Sequence, residues 1–177
     1  MKREMRKWFL LTMIAVLVVV LSGCGKSVEE QIKTGVASAQ TVFEESPREP
    51  NKTIGQIELY LPSGYSIKET DDVNNYILSK GKQKYILFVN VYEKEDSKLH
   101  FDLLQETQSK NIVKSQPVEL DGAFGFTAVL EHEKDQFELI ASSGGVKVSA
   151  ISKDRNMDDK LVEMMLIARS VNVTKVK

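Results

Sequence analysis

The chain holds one cysteine, Cys24, in the run Leu21-Ser22-Gly23-Cys24. A thiolate is a strong nucleophile and acyl acceptor. Ser22 and Gly23 are small enough to let an extended chain enter a narrow enzyme cleft. The chemistry this spacing suits is performed on the protein: transfer of a lipid group to the thiol and cleavage on its amino side. Other reactive side chains are sparse. His100 and His132 lie at no compact metal-ligand spacing, and each is expected to be structural. Ser142-Ser143-Gly144-Gly145 lacks the context of a nucleophile elbow and reads as a hairpin turn. Gly122-Ala123-Phe124-Gly125 lacks the further glycine, the lysine and the following helix of a phosphate loop, and reads as a turn entering a strand. Asp71-Asp72 and Asp158-Asp159 sit in no EF-hand pattern; a turn and a helix start explain them. No CxxC or Cys/His set exists, so neither metal nor cofactor is expected, and no catalytic residue is assigned. Lys80, Lys82 and Lys84 suit a solvated turn, or contact with anionic lipid at about 1 kcal/mol each.

The segment before Cys24 has an order of its own. Lys2, Arg3, Arg6 and Lys7 are basic, and Trp8 to Leu21 is apolar except for Thr12. A membrane-crossing helix needs roughly 20 apolar residues, more than this run supplies before polar sequence resumes. Basic start, short apolar run, small residues and single cysteine together resemble the lipobox of bacterial lipoproteins. The resemblance implies that Leu21, Ser22 and Gly23 are read by a signal peptidase and that residues 1–23 are removed. The Cys24 thiol accepts a diacylglyceryl group, and the acylated cysteine holds the protein to membrane lipid on the extracytoplasmic face. Acyl chains contribute about 0.8 kcal/mol per buried methylene, so several make a stable anchor.

Removing that leader changes the charge. The 24 basic and 25 acidic residues of the whole chain become 20 and 24, a net charge of −4. Such a protein is poorly suited to bind nucleic acid or the membrane surface through bulk charge. About 150 residues form one domain able to bury a core without disulfides.

Along the chain, Ser27-Val28-Glu29-Glu30 reads as a capping box. Val28, Ile32, Gly35, Val36, Ala39, Val42 and Phe43 follow at helical spacing over residues 28–45, and their apolar face is expected to pack on the domain. Ser46 to Lys52, with Pro47 and Pro50, reads as a connector. Residues 57–61 read as a strand, and 73–79 with 84–92 as a hairpin. The second hairpin strand is expected to be covered on both faces, Tyr85, Leu87, Val89 and Val91 on one and Ile86, Phe88 and Tyr92 on the other. A helix over 98–110 lines up Leu99, Leu103 and Thr107, with Leu104 beside them. A short strand ends at Asp121-Gly122, and a meander follows through Phe124, Phe126, Ala128 and Leu130, then Phe137, Leu139 and Ala141, then Val146, Val148 and Ala150. A helix opening at Asp158 or Asp159 carries Leu161, Met164, Met165, Ile167, Ala168 and Val171. Residues 172–177 are either a frayed end or a last strand.

The arrangement over 54–173 resembles the PsbP-like α/β sandwich. The resemblance is carried by the Ile57-to-Tyr65 opening, the apolar Tyr85-to-Tyr92 strand, the middle helix, the meander and the closing Ile167-Ala168-Arg169-Ser170-Val171. The expected fold is therefore α+β, a mainly antiparallel sheet covered by helices. Its parts are the signal segment 1–23, a lipidated cysteine with amphipathic helix and linker over 24–53, and the domain 54–177. The resemblance implies a non-enzymatic accessory domain that docks to a larger assembly, with a protein partner at the membrane or wall. The alternative is a small-ligand binder with Met157, Met164 and Met165 lining a pocket between sheet and helix.

The Cys24→Ser variant is expected to fold normally but take up no labelled fatty acid and escape lipoprotein-specific cleavage. Unchanged labelling of that variant contradicts the assignment.

Overall fold

A computed structural model describes residues 26–153 and 155–174. Leu21, Ser22, Gly23 and Cys24 lie outside them. Helix α1 runs Val28–Glu44, and the Ser27 side chain accepts the Glu30 backbone N–H, satisfying one of the amide donors left over at a helix start. Three short strands, β1 (Lys52–Ile54), β2 (Ile57–Leu59) and β10 (Asn172–Val173), form a small sheet in the order β1-β2-β10. A strand thus closes the described chain. β1 begins inside the stretch expected to be connector and spans the boundary expected at residue 54.

The main sheet has seven strands: β3 (Tyr65–Glu69), β4 (Asn75–Lys80), β5 (Gln83–Val89), β6 (Ile112–Leu120), β7 (Ala123–Glu133), β8 (Gln136–Ser143) and β9 (Val146–Lys153). Their order is β3-β4-β5-β9-β8-β7-β6, and every neighbouring pair is antiparallel. The fold is α+β. Helices α1 and α3 (Met157–Ser170) cover one face, while α2 (Leu99–Gln108) lies on the other.

The larger core cluster joins Ile32, Val36, Ala39 and Phe43 of α1 to Leu161, Met164, Met165 and Ile167 of α3 and to the inner face of the sheet. The smaller one packs Leu104 and half-buried Phe101 on Phe124, Phe126, Ala128, Leu130 and Ile140. β7 over residues 123–130 and β8 over residues 139–142 are therefore enclosed on both sides. In β7, Phe124, Phe126, Ala128 and Leu130 belong to the cluster under α2, and Ala123, Gly125, Thr127 and Val129 turn toward α1.

Three expectations are corrected. β5 is inside the sheet, but only Tyr85, Leu87 and Val89 are buried; Ile86 is 53% exposed, because α2 sits over β7 and β8 and leaves this end of the outer face open. Val91 and Tyr92 lie past the end of the strand, with Tyr92 92% exposed. In α2, Leu99 and Leu103 face solvent, whereas His100 and Leu104 are buried. The sheet beneath supplies aromatic rings, which favour the edge bearing His100, Phe101 and Leu104 over the leucine line.

Phe43 is fully buried against Gly125, where any Cβ would collide with its ring. Phe43→Ala is expected to lower stability by about 3–5 kcal/mol, measured by urea unfolding. A loss below about 1 kcal/mol would mean that α1 is not part of the core.

Candidate functional site

The start of α1 is fastened to the start of α3 by polar contacts between residues far apart in sequence. Lys26 Nζ lies 2.5 Å from Asp158 Oδ2. Gln31 donates from Nε2 to the Lys26 carbonyl (3.1 Å) and accepts the Met157 backbone N–H (3.2 Å) at Oε1. Gly35 permits the close crossing, since a methyl there would stand 2.7 Å from Asp158 Cα. Burial pushes the Asp158 carboxyl upward. The Lys26 ammonium and the backbone N–H groups of Asp159 and Asp158 outweigh it and leave the pKa lowered. The carboxylate stays charged at neutral pH, and its contribution is lost as pH falls below the ordinary carboxylate range. At the far end, Arg169 donates from Nε to the Phe43 carbonyl (3.4 Å), its guanidinium 4.7 Å from the centre of the Phe43 ring.

Beside α3, the β3–β4 hairpin is joined to the helix through Glu163. Tyr65 Oη donates to Glu163 Oε2 (2.9 Å), and Lys80 Nζ donates to Oε1 (2.5 Å). Tyr65 and Tyr85 pack with ring centres 5.3 Å apart. Burial raises both phenols' pKa, so they remain protonated donors. An open depression of about 440 Å³ adjoins them, lined by Lys80, Gln83, Tyr85, Asn156, Asp159, Lys160, Val162 and Glu163. Met157, Met164 and Met165 are not in its wall; all three are fully buried core.

On the outer face, Ile77 pairs directly with Ile86 across β4 and β5, and Ile151 stands on β9 beyond. These isoleucines are 39%, 53% and 39% exposed. They line a shallow groove of about 660 Å³ whose polar members include Lys82, Lys84, Gln136, Glu138 and Ser149. Neighbouring β-branched residues turned to water leave hydrophobic stabilisation unused, a property of contact surfaces.

The remaining sequence candidates occupy structural positions. Ser142 is buried and donates to the Val146 carbonyl (2.7 Å) as Gly144 turns the chain at φ +53°. Asp121 and Gly122 form the β6–β7 turn. Asp72 accepts the Asn74 N–H and the Asn75 side-chain amide within the β3–β4 loop. Asp158 and Asp159 occupy the first turn of α3. His132 is exposed on β7, while His100 is buried, its ring 3.3 Å from the Gly145 carbonyl and edge-on to Phe88 at 5.5 Å. Among the described residues, no cluster of three or more His, Cys, Asp or Glu is placed to hold a metal, and no helix is long and apolar enough to cross a membrane. The isoleucine groove and the Lys26–Asp158 contact were missed by sequence reasoning. The first depends on where α2 lands and the second joins distant residues.

Comparison with known protein families and with curated proteins finds no match to this chain.

Burial lowers the His100 pKa, and Lys147 adds to it, against the opposing pull of the Gly145 carbonyl and Glu93. The folded state therefore binds this proton less readily than the unfolded chain, so the stability His100 contributes is full above about pH 6.5 and declines as pH falls below it. Chemical unfolding at pH 7 and pH 5 is expected to show that decline in the wild type and a smaller one in His100→Gln. An equal decline in both proteins contradicts the assignment.

Proposed function

We propose that this protein is a lipid-anchored, extracytoplasmic lipoprotein that acts without catalysis, as an accessory module binding a protein partner at the membrane. The observation that carries the reading is the uncovered outer end of the sheet, where Ile77, Ile86 and Ile151 stand together in solvent. The groove is broad and shallow, and both signs of charge border it, Lys82 and Lys84 against Glu138. A protein surface supplies apolar contact and polar partners over such an area. An antiparallel sheet with helices on both faces supports the PsbP-like reading. The small-ligand alternative has less support, because the methionines that would form an adaptable wall fill the core instead.

The test is photo-crosslinking from position 151 in cells carrying the anchored protein. One discrete protein adduct is expected, lost in Cys24→Ser and reduced at least tenfold by Ile86→Asp, about the 1.4 kcal/mol that loss of one interface anchor costs. Ile86 is half exposed and pairs with Ile77, so that variant should still fold, with about 1 kcal/mol of stability lost. Diffuse lipid or wall adducts alone would contradict a protein partner.

A further inference from the structure

We propose that the open half of the sheet's outer face is filled by helix α2 of a second copy of this chain, giving a two-fold dimer in the plane of the membrane. This rests on the reading of Cys24 as the anchor and of the isoleucine groove as a protein-binding surface, and it names the partner.

The first argument is the shape of the gap. α2 lies over β7 and β8, and a helix packed beside it stands about 8–10 Å away. That equals two strand spacings of about 4.8 Å, which places the neighbour over β9 and β5, where Ile151 and Ile86 are exposed. The wall of this slot is α2 itself. Its roll is set by His100 against Phe88 of β5 and by Phe101 against Phe124 and Phe126 of β7. With about 3.6 residues per turn, Leu103 and Leu99 follow His100 on the β5 flank, so these exposed leucines face the slot. Asp102 and Glu106, both exposed, fall on the side of α2 turned away from its own sheet.

The second argument is charge. On the outer face of β3, β5 and β9 the charged residues are Lys68, Lys84, Lys147 and Lys153. Glu138 of β8 borders them beside Ile151. The top of α2 is thus acidic and the floor it leaves bare is basic, so two surfaces of one chain are complementary. A two-fold axis between α2 and the slot, parallel to the strands, seats each α2 in the other copy's slot. The levels agree. His100 stands at the level of Phe88 and its pair Lys147, while Leu104 shares the level of Ile140, Ser149 and Ile86. At about 1.5 Å per residue, Asp102 then comes to the second copy's Lys147, and Glu106 lies toward its Lys84. Leu103 meets its own counterpart at the axis.

The third argument is the anchor. Lys26 is fastened to Asp158 at the end of the domain that holds the β4–β5 turn, since Asn156, Asp159 and Lys160 share a depression with Lys80 and Gln83. An axis along the strands keeps that end of both copies on one side, so both anchors enter the same bilayer. A flat anionic bilayer is the poorer occupant, because α2 projects above the slot and presents Asp102 and Glu106 to it first.

The test is oxidation of full-length Leu103→Cys protein anchored in cell membranes. Most molecules are expected to form a disulfide dimer, and the parent, its only thiol acylated, none. Val113→Cys, exposed on the edge strand β6 away from the slot, should give several-fold less. Lys84→Glu or Glu106→Lys should each lower the Leu103→Cys dimer several-fold, and the two together should restore it, because the charges then exchange across both contacts. No dimer from position 103, equal dimer from 113, or a 103 dimer indifferent to both charge variants overturns the proposal. The comparison of positions 103 and 113 decides it even if a charge variant misfolds. A disulfide dimer of the parent shows a free Cys24 and overturns the anchor and this dimer together. Cross-linking from position 151 separates the proposal from the groove reading beneath it: an adduct with another protein overturns the second copy alone, whereas lipid or wall adducts alone overturn both.

Discussion

Phe43 rests where the backbone of Gly125 leaves no room for a side chain, and Gly35 brings α1 onto the first turn of α3. These close approaches make α1 and α3 one layer over the sheet. Without α1, the small side chains of β6 and β7 and the inner edge of α3 would face water, and with them Val36, Ala39, Leu161 and Met165, all now buried. The helix nearest the amino-terminal segment is thus part of the hydrophobic core. Its polar contacts, Lys26 to Asp158 and Arg169 to the Phe43 carbonyl, fix its two ends.

That packing gives the proposed anchor mechanical meaning. A lipoprotein with a long flexible linker samples all orientations above the bilayer. Here Lys26, two residues after Cys24 in sequence, is fastened to Asp158, so an anchor at that cysteine would hold the start of α1 and α3 near the headgroups. On the proposed reading the isoleucine groove would then meet a partner confined to the same plane, and the raised effective concentration would replace the need for a deep, tight pocket.

Much of this was legible from local patterns. The Ser27 cap and the 3.6-residue recurrence marked α1, and the alternating runs from Phe124 to Ala150 marked the meander. What escaped was set by tertiary contact. Leu99 and Leu103 form a plausible apolar line, yet the aromatic floor formed by Phe88, Phe124 and Phe126 selects the neighbouring edge of α2. The inner face of β7 reads as weakly hydrophobic because Ala123, Gly125 and Thr127 are small, and they are small because a helix lies on them. Ile86 looks like a core residue in sequence, and only the position of α2 leaves it in water. Of the site, the lysine turn was visible, whereas the Lys26–Asp158 contact needs the crossing of α1 and α3.

The central claim is that α1 folds and unfolds with the sheet, so that the tether enters a rigid body. Native-state hydrogen exchange of the full-length protein tests it most directly. Amides of Val36 and Ala39 should exchange as slowly as those of Val129 and Leu139, through the same global opening. Fast exchange throughout α1 beneath a protected sheet would show a helix that detaches on its own, and would contradict a rigidly placed domain.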